Sequence, residues 1–162
     1  MRIAIFPGTF DPIHSGHVDV IERGLRLFDR IVVAVASGHH KSSLFNPEER
    51  IEIVREVTGE CEGVEVRAFD GLLVDLCAAV GSDVVLRGIR NLTDYEFETQ
   101  MAFMNRMMRP DLELVFLPAD KNHAHINSTL VREIARLGGD ITGFVPPSVA
   151  GAVHSKLERD RS

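Results

Sequence analysis

Long hydrophobic runs, metal-spaced cysteines and an excess of positive charge are all missing from this 162-residue chain. No apolar stretch approaches the ~20 residues that a membrane helix needs, so no membrane partner is expected. Met1 leads straight into an apolar run, and no signal peptide is expected ahead of it. The two cysteines, Cys61 and Cys77, lack metal-ligand spacing and are expected to be a reduced pair in the cytoplasm. The glycosylation patterns at Asn91 and Asn127 would be silent there. With 18 Lys and Arg against 24 Asp and Glu, the formal net charge is −6, which argues against a nucleic-acid partner. An anionic substrate would need a local basic pocket. G-x-x-x-x-G-K-[ST], G-x-G-x-x-G and G-x-S-x-G are also absent. Their absence excludes a P-loop, a dinucleotide fingerprint and a nucleophile elbow, so phosphate must be held another way.

What is present is ordinary for a globular protein: 44% hydrophobic and 26% charged residues. Ile3, Ala4, Ile5 and Phe6 form an apolar run stopped by Pro7-Gly8, read as a buried parallel strand. After a polar loop, His14-Ser15-Gly16-His17 enters Val18, Val20, Ile21, Leu25 and Phe28, spaced for one helical face. Further strands are expected at Arg30–Ala36, Val64–Phe69, Asp83–Arg87 and Glu113–Leu117. Helices are expected from Asn46-Pro47 to near Gly59, Leu72 to Val80, Asp94 to Met108, Ser128 to Leu137, and Pro146-Pro147 to about Leu157. The alternation predicts an α/β fold: a Rossmann-like open five-stranded parallel sheet with helices on both faces. Residues 1–162 read as a single domain, with 158–162 expected as a frayed tail.

In such sheets ligands bind at the carboxyl ends of the strands, where the N–H groups of a following helix attract phosphate. The first strand delivers Thr9, Phe10 and His17, with His14 serving either to touch ligand or to support the loop. The second delivers Lys41 in a polar, basic exit loop. The fourth delivers Arg87-Gly88-Ile89-Arg90, two arginines whose forks suit phosphate. The fifth delivers the loop from His123 to Thr129, and Ser128 is expected to cap the helix that follows. On the Asp94–Met108 helix, Phe97, Met101, Met104 and Met108 read as core or subunit interface, and Glu98 points elsewhere, toward the site.

GTFDPIHSGH resembles the signature of the H/T-x-G-H nucleotidyltransferase superfamily. GTFDP, the Lys41 loop before Phe45, RGIRNLTDYEFE and INSTLVRE together resemble bacterial phosphopantetheine adenylyltransferase, from residue 3 to about 157. The chain departs from that family at His14, where Thr is usual, and at Asn127, where Ser is usual. The resemblance implies adenylyl transfer from ATP to 4′-phosphopantetheine, giving dephospho-coenzyme A and pyrophosphate. It implies that Thr9, Lys41, Leu73 and Arg87 bind phosphopantetheine. ATP would be bound by Thr9, Phe10, His17, Gly88, Ile89, Arg90, Glu98 and the segment His123, Ala124, His125, Ile126, Asn127, Ser128 and Thr129. His17, Lys41, Thr9 and Arg90 would carry catalysis. It also implies Mg²⁺ carried by the ATP phosphates rather than by protein side chains, and a homohexamer.

The residue chemistry is compatible with that expectation. A phosphate monoester bears close to two charges at neutral pH and needs no general base to attack the α-phosphorus of ATP. Donors and cations that steady an in-line transition state are then the requirement. The alternatives are another adenylyl- or cytidylyltransferase, acting on nicotinamide mononucleotide or a sugar or glycerol phosphate, and a nucleotide sensor without turnover. A class I aminoacyl-tRNA synthetase fragment is disfavoured by length, acidity and the lack of K-M-S-K-S.

Overall fold

The computed structural model describes residues 1–38 and 43–160 in full and the backbone of Arg161. Lys41 therefore lies outside the described residues. Five strands, β1 (Ile3–Gly8), β2 (Arg30–Ala36), β3 (Val64–Phe69), β4 (Val84–Ile89) and β5 (Glu113–Pro118), form one sheet in the order β3-β2-β1-β4-β5. Every pairing is parallel. The helices are α1 (Ser15–Gly24), α2 (Pro47–Thr58), α3 (Leu73–Val80), α4 (Leu92–Met108), α5 (Ser128–Arg136) and α6 (Pro147–Arg161). The expected Rossmann-like sheet is thus observed.

Strand alternation decides which helices each side chain meets. Ala4, Phe6, Ile31, Val33, Val35 and Leu86 pack on one side with Val20 and Ile21 of α1, Val54 of α2, Val131 of α5 and Val153 of α6. Ile5, Val32, Ala34 and Val85, one residue out of phase, pack on the other side with Val74 and Cys77 of α3 and with Leu112. No helix among the described residues is long and apolar enough to cross a membrane.

The strand order reverses between β1 and β4, and this switch point is where open α/β sheets bind ligands. β1 runs on through Pro7 and Gly8, which remain in register with Ala34 and Val35 of β2, rather than stopping before them. A proline fits this central strand because β4 pairs with β1 only at Ile5, well short of Pro7. The freed Pro7 carbonyl instead accepts from Arg87.

Other element boundaries also differ from expectation. Asn91 caps α4 by accepting from the Asp94 backbone N–H, so that helix opens two residues before Asp94. Asn127, not Ser128, caps α5: its side chain accepts from Leu130 N–H at 2.9 Å, because Asx oxygens reach the third N–H of a helix readily. Finally, α6 continues past Leu157 to Arg161.

Helix α1 crosses the sheet at Gly24, where a Cβ would stand 2.6 Å from Ile31 Cδ1 and 2.7 Å from Leu86 Cδ2. Both neighbours are wholly buried. Gly24→Ala is therefore expected to destabilise the fold by about 1–3 kcal/mol through overpacking. A urea midpoint lowered with an unchanged m-value would show it; an unchanged midpoint would refute the close approach.

Candidate active site

The cleft lies at the carboxyl ends of β1 and β4 and is lined by their exit loops, the first turn of α1, and the entries to α4 and α5. Its floor begins with Gly8, where a Cβ would meet the Phe10 ring at 2.8 Å. Only glycine lets that ring fold back over the strand. Phe10 itself takes a left-handed backbone conformation, φ 50°, which is strained for a side chain of this size. Its ring packs edge-on against His17 with centroids 4.9 Å apart. Thr9 between them is exposed at the rim.

Two imidazoles organise the start of α1. His14 occupies the N-cap, and its Nδ1 accepts from Gly16 N–H at 3.1 Å. His17 Nδ1 accepts from the His14 backbone N–H at 3.2 Å. The rings stack with centroids 3.6 Å apart. With both Nδ1 atoms accepting, each neutral ring carries its proton on Nε2 and presents a donor. Burial, then Arg90 and His123, pulls the His14 pKa down to about 3. Burial, then His14, Arg87 and Arg90, holds His17 well below the ordinary imidazole range. The site works with neutral imidazoles. His14 thus both supports the loop and lines the cleft, so the two readings of it are not exclusive.

This cap also changes how phosphate can be held. The N–H groups of Ser15, Gly16, His17 and Val18 are taken by Phe144 O, His14 Nδ1 and the His14 carbonyl. The expected free N–H groups at the start of α1 are therefore already occupied. At α5 the Asn127 cap takes Leu130 N–H and its carbonyl takes Val131 N–H, while Ser128 and Thr129 N–H have no partner among the described residues. The N-terminus of α5 thus keeps open N–H groups beside this cleft.

Arg87 near the end of β4 and Arg90 just after it are each held by an acid on α4. Arg87 donates to Glu98 and to the Pro7 carbonyl. Arg90 forms a fork on Asp94, Nε to Oδ2 at 2.8 Å and Nη2 to Oδ1 at 3.0 Å, and its Nη1 donates to Ile126 O at 3.2 Å. Three of the five guanidinium N–H donors are used, leaving two for a ligand. The Arg90 fork holds the Asp94 carboxyl below the usual carboxylate range. Asp94 was not singled out from sequence, although its i+4 spacing from Arg90 at a helix start was a signal for this pair.

Of the residues expected at the site, Thr9, Phe10, His17, Arg87, Gly88, Arg90, Glu98, His123, Asn127 and Ser128 line the cleft together. Ile89, Ala124, His125, Ile126 and Thr129 do not line it. Ile126 is buried and contributes its carbonyl to Arg90; His125 packs edge-on against Phe144. Leu73 sits at the start of α3 and packs against the core on that side of the sheet. Ser128 contributes a hydroxyl bond to the Pro12 carbonyl at 2.8 Å rather than the helix cap.

The depressed histidines set a pH dependence. Unfolding restores an imidazole pKa near 6.5. Below that value the unfolded chain binds more protons than the folded one, so stability falls with pH, by up to ~1.4 kcal/mol per pH unit for each histidine. His14→Gln is expected to remove part of this slope between about pH 7 and about pH 5 in urea unfolding. Equal slopes for both proteins would show that His14 is not held neutral.

Three comparisons bear on this geometry. Residues 5–134 match the Cytidylyltransferase-like family. A phosphopantetheine adenylyltransferase of Geotalea daltonii is 46% identical over 159 residues, 98% of this chain and 99% of that one. One from Alkalilimnicola ehrlichii is 51% identical over 93% of this chain and 88% of its own length. The fold is shared with a bifunctional NMN adenylyltransferase/ADP ribose pyrophosphatase of Francisella tularensis, with TM-score 0.75 at 14% identity, covering 97% of this chain and 50% of that one. By matched length, by identity and by the site at its switch point, this chain belongs to the Cytidylyltransferase-like family and, within it, to the phosphopantetheine adenylyltransferases.

Proposed function

We propose that this chain reversibly transfers the adenylyl group of ATP to 4′-phosphopantetheine, giving dephospho-coenzyme A and pyrophosphate. The observation that carries this reading is 46% identity over 98% of the chain with a phosphopantetheine adenylyltransferase. The cleft's chemistry supports it. An oxygen of the acceptor's phosphate, ionised at neutral pH, bonds to the α-phosphorus as the bond to the pyrophosphate oxygen breaks in line. No protein nucleophile or general base is required.

The neutral His17 ring donates Nε2–H to a non-bridging α-phosphate oxygen, where charge gathers in the transition state. Arg90 offers its two unused N–H groups, with Ser128 and Thr129 N–H of α5, to the departing pyrophosphate. On the ATP side the reading adds Phe10, Gly88, Glu98, His123 and Asn127, which line the cleft, and Ile89 and residues 124–126, which do not. Arg87, with Lys41 and Leu73, receives the phosphopantetheine, and Thr9 at the rim serves both substrates. Mg²⁺ is part of this reading. The carboxylates lining the cleft, Asp94 and Glu98, are engaged by Arg90 and Arg87, a donor set that suits a cation carried in on the triphosphate. Held on the ATP phosphates beside these residues, such a cation would neutralise phosphate charge. The reading includes a cytoplasmic location, supported by the free thiols of Cys61 and Cys77.

His17→Ala is expected to lower kcat by about 10²–10³-fold in a pyrophosphate-release assay with ATP, Mg²⁺ and phosphopantetheine, while KM changes far less. A raised KM with unchanged kcat would make His17 a binding group only. No release by the unaltered protein would end the functional reading.

The same reading includes a homohexamer. On α4, Phe97, Met101, Met104 and Met108 are 41–60% exposed in the single chain, which removes the option that this stripe is internal core. Such a contiguous apolar face suits a subunit contact. Light scattering is expected to give about six times 18.0 kDa. A monomer mass at micromolar concentration would overturn the assembly.

A further inference from the structure

The largest wholly buried side chain described is not apolar: it is Arg50, on α2. Nη1 donates to the Thr9 carbonyl at 2.8 Å and to the Ala36 carbonyl at 2.9 Å, and Nη2 reaches the Gly38 carbonyl at 3.4 Å. One guanidinium thus ties the exit of β1 to the exit of β2. Its Nε has no partner among the described residues. A methionine or leucine would fill similar volume without that orphaned N–H, so packing alone does not account for a guanidinium here.

Asp11 is its counterpart. Its carboxylate is 3% exposed and accepts from Leu44 N–H and Phe45 N–H, both at 2.9 Å. Arg132 of α5 stands 3.5 Å from the same carboxylate and also donates to the Asp11 carbonyl. The chain therefore leaves β2 under Arg50 and rejoins described structure at the entry to α2 under Asp11. Both anchors belong to, or hold, the loop that presents Thr9. The stretch of sequence bearing Lys41 runs between them.

We propose that Arg50 and Asp11 are positioning residues for the adenylyl acceptor: buried opposite charges that fix the Thr9 rim relative to the exit of β2 and the entry of α2. This rests on the functional reading above, which gives Lys41 to the acceptor and Thr9 to both substrates. Neither residue touches substrate. They act by holding backbone: the Thr9 side chain is exposed on the cleft while its carbonyl is bonded from beneath. Most of the ATP side has supports of its own, His17 with its cap and Arg90 with its carboxylate. Loss of either anchor should therefore fall more heavily on the acceptor than on ATP. Lysine cannot replace the arginine, because a single ammonium lacks the planar fork that reaches carbonyls from two strands.

Arg50→Lys, Asp11→Asn and Val54→Ala, a wholly buried position on the same helix, form the test. Arg50→Lys is expected to raise KM for phosphopantetheine about tenfold or more while ATP affinity by calorimetry stays within about twofold. Val54→Ala should lower Tm with both constants unchanged, which separates lost packing from lost positioning. In a Thr9→Val background Arg50→Lys should have much less effect on kcat/KM for the acceptor, because both changes remove one contact. Additive losses, equal losses for both substrates, or a falling Tm with unchanged KM would each overturn the proposal. Should Arg50→Lys fail to fold, Asp11→Asn carries the same expectation and the same refutation. Turnover by the unaltered protein keeps the two readings apart: its absence sinks the function, and its presence with unselective variants sinks the positioning role alone.

Discussion

The two ion pairs between β4 and α4 are the constraint on which the cleft depends. A chain of net charge −6 must gather positive donors at one point, and bare arginines at a strand end would wander or neutralise against whatever acid lay nearest. Glu98 and Asp94 stand four residues apart on one face of α4 and hold Arg87 and Arg90 respectively. The carboxylates orient each guanidinium without exhausting it. Pro7 and Ile126 carbonyls add a second hold on each.

The imidazoles solve a different problem. A donor to a phosphate oxygen is most useful when it neither titrates near neutral pH nor turns to another acceptor. His14 and His17 exchange bonds with the backbone of their own helix, stack on each other, and sit beside two cations. Each of these features disfavours the imidazolium. The helix gives up its first N–H groups to achieve this. At α5, by contrast, an asparagine cap leaves the first two N–H groups open among the described residues.

Much of the fold was legible in the sequence because β-branched runs alternate with helical spacing, and because Asn46-Pro47 and Gly81 punctuate them in agreement with their backbone roles. The order of strands was not legible, since parallel pairing is decided by contacts far apart in sequence. The strand boundary at Pro7 was misread for a related reason: proline is a breaker unless the neighbouring strand ends first. At the site, Thr9, His17, Arg87 and Arg90 could be read from residue chemistry and position. The occupied N–H groups of α1 could not, because a histidine N-cap has no strong propensity to announce it. Arg50 escaped notice because P-E-E-R at a helix start reads as a solvated face. Only the fold reveals that its guanidinium is turned inward beneath two strand ends.

The apolar face of α4 also concentrates chemical vulnerability. Of the five methionines in the chain, all but Met1 lie on that helix: Met101, Met104, Met107 and Met108. Each thioether there is open to solvent in the isolated chain, and oxidation would turn a flexible apolar contact into a polar, chiral one. Because the same helix carries Asp94 and Glu98, sulfoxide damage on its outer side would strike the element that sets both arginines on its inner side. Association of subunits through this face would then act as an antioxidant shield for the active site.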